Sequence, residues 1–279
     1  MKAVEIKNLS KYYNTAVRMK KVCALDNVSF EVEEASIFGL LGANGAGKST
    51  TIKILIGLIK KYSGEFKIFG KTMSKSLREN IGYLPENPSL YPFLNAYETL
   101  VLMAQLCGMS KSKARAESVK FIDLVGLAND ANRKLSEYSK GMLQRVAIAQ
   151  AIIHNPRLVI LDEPASGLDP ISSADIVSII LNLKAEQKTV ILCSHSMSEV
   201  EKLCDDIVIM SRSKVLARGA LTKLLEKPDT YNMELSNCSK ENILDIEKFA
   251  KSQSCIIENI STAREPLDNY FENLIRGNK

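Results

Sequence analysis

Gly42-Ala43-Asn44-Gly45-Ala46-Gly47-Lys48-Ser49-Thr50, GANGAGKST, fits the pattern G-x-x-x-x-G-K-[S/T]. It follows an apolar run, Ile37-Phe38-Gly39-Leu40-Leu41, that reads as a buried strand. Beyond the loop, Ile52, Leu55, Ile56 and Ile59 recur at helical spacing, so a helix is expected from Thr51 onward, with its positive end aimed back at the loop. Glycines let backbone N–H groups curl around β- and γ-phosphates, Lys48 places a cation on them, and the Ser49 hydroxyl is suited to Mg²⁺. A nucleoside triphosphate site is the expectation.

Such a site is shared by many activities, so other segments must decide between them. LVILDE, residues 158–163, is an apolar strand ending in two acids, the arrangement that holds Mg²⁺ and polarises a water. Asp162 is expected to serve the metal and Glu163 the water.

Between the two strands stand Tyr138-Ser139-Lys140-Gly141-Met142 and Leu143-Gln144-Arg145. Here the chain resembles the signature segment of ABC-type ATPases, L-S-G-G-Q followed by x-Q-R. Ser139, Gly141, Gln144 and Arg145 match it, while Tyr138, Lys140 and Met142 depart. The departures leave the hydroxyl and the bare glycine that are to meet a phosphate at a helix N-terminus, and Lys140 is a candidate for a further phosphate-directed cation. Other parts follow in the family's order. Ser166-Gly167-Leu168-Asp169 resembles its D-loop, and His195, after the strand expected at 189–193, resembles the switch histidine that contacts the γ-phosphate and orients the attacking water. His154, before Asn155-Pro156, reads as structural. Tyr13 resembles the aromatic that stacks on adenine, with Tyr12 as rival and sheet packing as the plainer reading of either.

Gly82-Tyr83-Leu84-Pro85-Glu86 stands where most of the family has a glutamine facing Mg²⁺ and the transmembrane partner, so Glu86 puts a carboxylate there. The L-P-E form together with Y-S-K-G-M is similar to the ATPases of two-component exporters, which favours export over import. Ala35-Ser36 replaces the family's usual glycine before the loop strand, and residues 15–22 are longer and more basic than its usual hairpin.

The resemblance implies an α/β P-loop NTPase fold over residues 1–220. Its parts are a RecA-like, mostly parallel sheet, an antiparallel β subdomain and a helical insert at about 88–156. The cofactors implied are ATP and Mg²⁺. The partners implied are a second copy of the chain and a separate transmembrane permease docked on the insert near Leu90-Tyr91-Pro92-Phe93.

Within the insert, Asn95 with Glu98 forms a capping arrangement before a helix, a second helix is expected over 111–125 ending at Gly126, and a third from near the signature to before Asn155. Residues 207–210 and 215–217 read as a hairpin. Residues 221–279 read as a small α/β extension, with strands at 231–235 and 255–260 and helices around 243–250 and 267–276.

With 279 residues, 46% hydrophobic and 25% charged, the chain can bury a large core. No apolar run reaches the roughly 18 residues of a membrane span. The start, MKAVEIKNLS, lacks the apolar stretch of a secretion signal, so a cytoplasmic location at the inner face of the membrane is expected. Six cysteines without C-x-x-C spacing argue for reduced thiols and no zinc. Residues 221–279 hold 8 basic and 10 acidic residues, so the net +5 becomes +7 over the first 220, too scattered for nucleic-acid binding. The alternative is a soluble ABC-type mechanical ATPase acting on DNA or ribosomes, which usually carries long coiled coils or two ATPase halves. A non-hydrolysing nucleotide sensor is a third reading, disfavoured by Glu163 and His195.

Overall fold

The computed structural model describes residues 1–14, 21–227, 229–230, 233, 235–253, 255–257 and 259–260. Most of the basic segment at 15–22 and the helix expected at 267–276 lie outside them.

Apolar runs build a six-stranded sheet. β3 (Ile37–Leu41), β6 (Leu158–Asp162) and β7 (Thr189–Ser194) are buried along their whole length, as strands covered on both faces must be. With β5 (Ile81–Leu84), β8 (Asp206–Ser211) and β9 (Lys214–Ala220) the order is β5-β6-β7-β3-β8-β9, all pairs parallel except β8–β9. A second, antiparallel sheet has the order β2-β1-β4, from β1 (Lys2–Asn14), β2 (Lys21–Glu33) and β4 (Ser63–Ile68).

Because side chains alternate along a strand, the main sheet feeds two cores. Phe38, Leu40, Leu158, Ile160 and Ile191 face the antiparallel sheet, where the Phe30 and Phe38 rings stack at 5.4 Å, and this layer also holds α1 (Lys48–Leu55) and Leu77 of α2 (Lys75–Arg78). Ile37, Leu41, Val159, Leu161, Val190 and Leu192 face the helices α3 (Ala96–Leu106), α4 (Lys111–Leu124), α5 (Lys140–Ile152), α6 (Pro170–Ala185) and α7 (Met197–Leu203).

Local chemistry sets the boundaries. The Asn95 side chain accepts from the Glu98 N–H at 2.8 Å and Glu98 accepts from the Asn95 N–H at 3.0 Å, the reciprocal cap expected of that pair. α1 departs from expectation at both ends. Lys48, Ser49 and Thr50 are already helical, and the helix stops at Leu55 because Gly57 turns the chain at φ 77°; Ile56 and Ile59 still pack on the core beyond it. Ala35 adopts φ 56°, so the turn usually made with glycine is kept here at about 1 kcal/mol of backbone strain. In the β8–β9 turn Arg212 and Ser213 both have positive φ, which matches the twist of a tight hairpin.

The contact pattern divides the chain into Met1–Leu225, which includes α8 (Leu221–Leu225), and Glu226–Lys279. In the second unit α9 (Lys240–Ser252) begins with a reciprocal Ser239–Asn242 cap. The strands expected at 231–235 and 255–260 are absent at the residues described there. Met233, Leu235, Ile256, Ile257 and Ile260 are exposed, and no ladder partner is described for them.

Candidate functional site

The loop between β3 and α1 needs its glycines for two separate reasons. A Cβ on Gly42 would sit 2.4 Å from the Met210 carbonyl oxygen, and one on Gly47 would sit 2.7 Å from both the Ala24 carbonyl oxygen and Leu25 Cδ2. At Gly45 there is open space, and only its φ of 80° calls for glycine. Gly47 caps α1 without a side-chain hydrogen bond, so the first N–H groups of the helix keep no side-chain partner. Ala43, Asn44 and Ser49 are exposed, Thr50 is half-buried, and Ala46 and Lys48 are buried, the Lys48 ammonium donating to the Gly42 carbonyl.

Asp162 ends β6 beside Cys193 of β7, the strand that separates β6 from β3. It is only 5% exposed, and its carboxyl is pushed up to about 6, chiefly by burial and then by repulsion from Glu163 and Glu86, against the pull of Lys48 and Lys53. Glu163 leaves the strand in a left-handed turn at φ 53°, its N–H held by the Cys193 carbonyl at 2.8 Å. That turn aims the carboxylate at His195, whose Nδ1 lies 2.7 Å from Glu163 Oε2. Glu86, exposed after β5, contributes to the same negative field, and the Tyr83 phenol is pushed up to about 12 by burial and then by Asp162. His154 lies away from this cluster. Its Nε2 meets the Ile81 carbonyl at 3.1 Å, and burial lowers its pKa, in keeping with a structural residue.

The signature segment lies at the N-terminus of α5. Ser139 Oγ accepts from the Met142 N–H at 3.2 Å. Gly141 is bare because α6 is close: a Cβ there would meet Ser172 Oγ at 2.4 Å. Lys140 differs from expectation. Its ammonium donates to the Ser166 carbonyl at 2.7 Å and the Gly167 carbonyl at 3.2 Å, so in this chain it serves the D-loop backbone instead of standing free for a phosphate. Tyr138 is buried among helix residues with its hydroxyl donating to the Asp130 carbonyl at 2.6 Å, which accounts for tyrosine where the family has leucine. Arg145 ties α5 to the end of α4 through the Val125 carbonyl at 3.1 Å and to Asp175 of α6 at 3.6 Å.

Tyr12 and Tyr13 both lie on β1, paired with Cys23 and Val22 of β2 and exposed by 52% and 40%. Sequence reasoning missed two sets of contacts. Ser194 Oγ donates to Glu199 at 3.1 Å and accepts the Ser196 N–H at 3.0 Å, fixing the backbone around His195. Asp169 caps α6 by accepting from the Ser172 N–H at 2.9 Å and its hydroxyl at 2.7 Å, a cap that Asp169-Pro170 could have announced.

A phosphate loop between a central parallel strand and a helix, with an acid pair on the next strand but one, defines a P-loop nucleoside triphosphatase. The ABC transporter family model matches residues 25–166, and the chain belongs to that family as an ATP-binding and ATP-hydrolysing cassette. It is 44% identical over 234 residues to an uncharacterized ABC transporter ATP-binding protein of Nostoc sp., covering 82% of this chain and 70% of the relative. It is 34% identical to the bacitracin transport ATP-binding protein BcrA of Bacillus licheniformis, over 91% of this chain and 93% of the relative. The dimeric post-hydrolysis structure of the cassette MJ0796 bound to ADP and Pi superposes with a TM-score of 0.70 at 27% identity, over 78% of this chain and 98% of the other. These similarities lend no support to an ATPase acting on DNA or ribosomes.

Proposed function

We propose that this cassette powers export through a separate membrane-spanning permease, with two copies closing on ATP. The observation that carries the reading is the convergence of Lys48, Asp162, Glu163 and His195 at one end of the parallel sheet. On this reading Gly42, Ala43, Asn44, Gly45, Ala46, Gly47, Lys48, Ser49 and Thr50 hold the phosphates, and Tyr13 stacks on adenine. Glu163 takes a proton from the attacking water. His195, already hydrogen-bonded to it at 2.7 Å, keeps that carboxylate oriented and faces the γ-phosphate.

The donor set also fits Mg²⁺. Asp162 is a buried carboxylate whose charge is disfavoured by two neighbouring acids, a conflict that a cation relieves, and Ser49 and Glu86 add hard oxygen ligands. Among the described residues no cluster of three or more His, Cys, Asp or Glu forms a metal cage, which suits an ion held jointly with phosphate oxygens. Mg²⁺ there would neutralise charge on the β- and γ-oxygens during transfer. Ser139 and Gly141 serve the ATP held by the facing copy.

Export is supported by the likeness to the bacitracin transport protein and by the paired L-P-E and Y-S-K-G-M segments. No helix among the described residues is long and apolar enough to cross a membrane, and on this reading the permease is a second chain. Tyr91 and Phe93, exposed by 55% and 66% with ring centroids 5.6 Å apart, form the apolar part of the docking face before α3. Co-expression with its permease should bring the chain to the membrane fraction, and Phe93→Asp should release it while basal ATP binding stays unchanged. A chain that remains outside that fraction with every candidate permease, yet is stimulated by DNA or ribosomes, defeats the proposal.

A further inference from the structure

We infer that Lys140 is a positioning residue that couples the two ATP sites of the closed pair, by tying each copy's signature segment to the loop that carries its own catalytic base. The inference rests on the two-copy reading above.

Lys140 is the first residue of α5, where a cation opposes the helix dipole. Its placement there is offset by a contact with the main chain, not with a carboxylate: the ammonium spans the Ser166 and Gly167 carbonyls at 2.7 and 3.2 Å. Gly167 adopts φ 66°, a left-handed turn that favours glycine and that presents two successive carbonyls to the ammonium. The Ser166 N–H in turn donates to the Glu163 carbonyl at 3.3 Å, three residues back along the chain. A backbone path thus runs from the signature helix through Lys140 to Ser166 and Glu163.

Two further ties make α5 and the start of α6 one body. Gly141 lies against Ser172 with no room for a methyl group, and Arg145 pairs with Asp175 at 3.6 Å. In the closed pair, Ser139 and Gly141 of one copy meet the ATP of the other, while Glu163 acts on the ATP of its own copy. Lys140 therefore reports occupancy of the facing site to the local base, and its contribution belongs to turnover and cooperativity, not to ATP affinity.

The test uses the full chain with Lys140→Met, which keeps the length and removes the donors, and Lys140→Arg, which restores them. Expected results are a roughly tenfold lower kcat for Lys140→Met with KM for ATP within about twofold, a Hill coefficient falling toward 1, and recovery of at least half the rate in Lys140→Arg. In a Glu163→Gln background, Lys140→Met should still form the ATP-dependent dimer by sedimentation. If Glu163→Gln alone stays monomeric, the two-copy reading fails and this inference falls with it. If it dimerises but Lys140→Met leaves kcat and cooperativity unchanged, the coupling role alone is overturned. Loss of the dimer in the Lys140→Met double variant, or a raised KM at normal kcat, also overturns it and makes Lys140 a phosphate ligand. Failure of Lys140→Arg to restore the rate overturns it as well, because carbonyl donation would not be the cause.

Discussion

Two helix N-termini in this molecule are prepared for a phosphate in opposite ways. At α1 the cap is Gly47, which offers no side chain, and the preceding loop is shaped by neighbours that forbid a Cβ at Gly42 and Gly47. The donors there are organised within one chain. At α5 the cap is Ser139, whose hydroxyl already serves the Met142 N–H, and the next residue, Lys140, is committed to the D-loop. The first terminus is ready for a ligand, whereas the second is satisfied by its own chain until something displaces that cap. On the two-copy reading, the difference accounts for a cassette that binds ATP alone and needs a second copy for turnover.

Disabling each terminus separately tests whether the two are independent. Lys48→Ala removes the buried cation of the α1 loop and should weaken ATP binding by the single chain at least 100-fold, measured by calorimetry or nucleotide retention. Ser139→Arg should leave that affinity within about threefold, because α1 is untouched, but should abolish the ATP-dependent dimer of Glu163→Gln and lower turnover at least 100-fold. Equal loss of single-chain binding in both variants would show that the two termini share one site within one chain.

How far the sequence announced this contrast depends on the distance over which each constraint acts. The phosphate loop was legible because its glycines, lysine and flanking strand lie within one short segment, and the Asn95–Glu98 cap was legible for the same reason. The core strands were legible because burial on both faces leaves unbroken apolar runs. The start of α1 was read three residues late, since the motif's own Lys48, Ser49 and Thr50 already form its first turn. What stayed hidden lies between distant segments. Lys140 meets carbonyls 26 and 27 residues away, and nothing in the spelling Y-S-K-G-M distinguishes a lysine aimed at phosphate from one bound to backbone. The strands read into the tail rested on β-prone residues such as Ile256 and Ile257, but strands form only where a partner edge exists.

The α1 site also differs in charge, because the burial of Asp162 beside it comes at a cost to stability. Its folded pKa is raised from 3.8 to about 6, so the folded state holds the proton more tightly than the unfolded chain. The stabilisation from protonated Asp162 is fully present below about pH 4 and is lost as pH rises through about 6, leaving a penalty at neutral pH on the order of 1–3 kcal/mol. Asp162→Asn should therefore stabilise the nucleotide-free protein by about that amount at pH 7.5, and less at pH 5, in urea unfolding, while turnover is lost. A variant no more stable than the parent at pH 7.5 would mean that Lys48 and Lys53 fully offset the burial of the charge.

The smallest effect isolates the α5 cap. Ser139→Ala deletes the hydroxyl that accepts the Met142 N–H at 3.2 Å and leaves the backbone of the signature unchanged. Loss of a serine cap typically costs about 1 kcal/mol, so the nucleotide-free variant should unfold at lower urea by that margin. At Gly47 there is no side-chain cap to lose, and stability has no matching contribution there. The same hydroxyl is the one proposed to turn to the phosphate of the facing copy, so in wild type part of the gain on closure is offset by giving up the Met142 bond. In the alanine variant neither bond exists. Closure then loses the phosphate contact but is spared the cost of breaking the Met142 bond, so the ATP-dependent dimer of Glu163→Gln, Ser139→Ala should weaken only about three- to tenfold, against complete loss with arginine. A stability drop with an unchanged dimer would assign the hydroxyl to the helix alone, and the phosphate-facing role would pass to the N–H groups around Gly141.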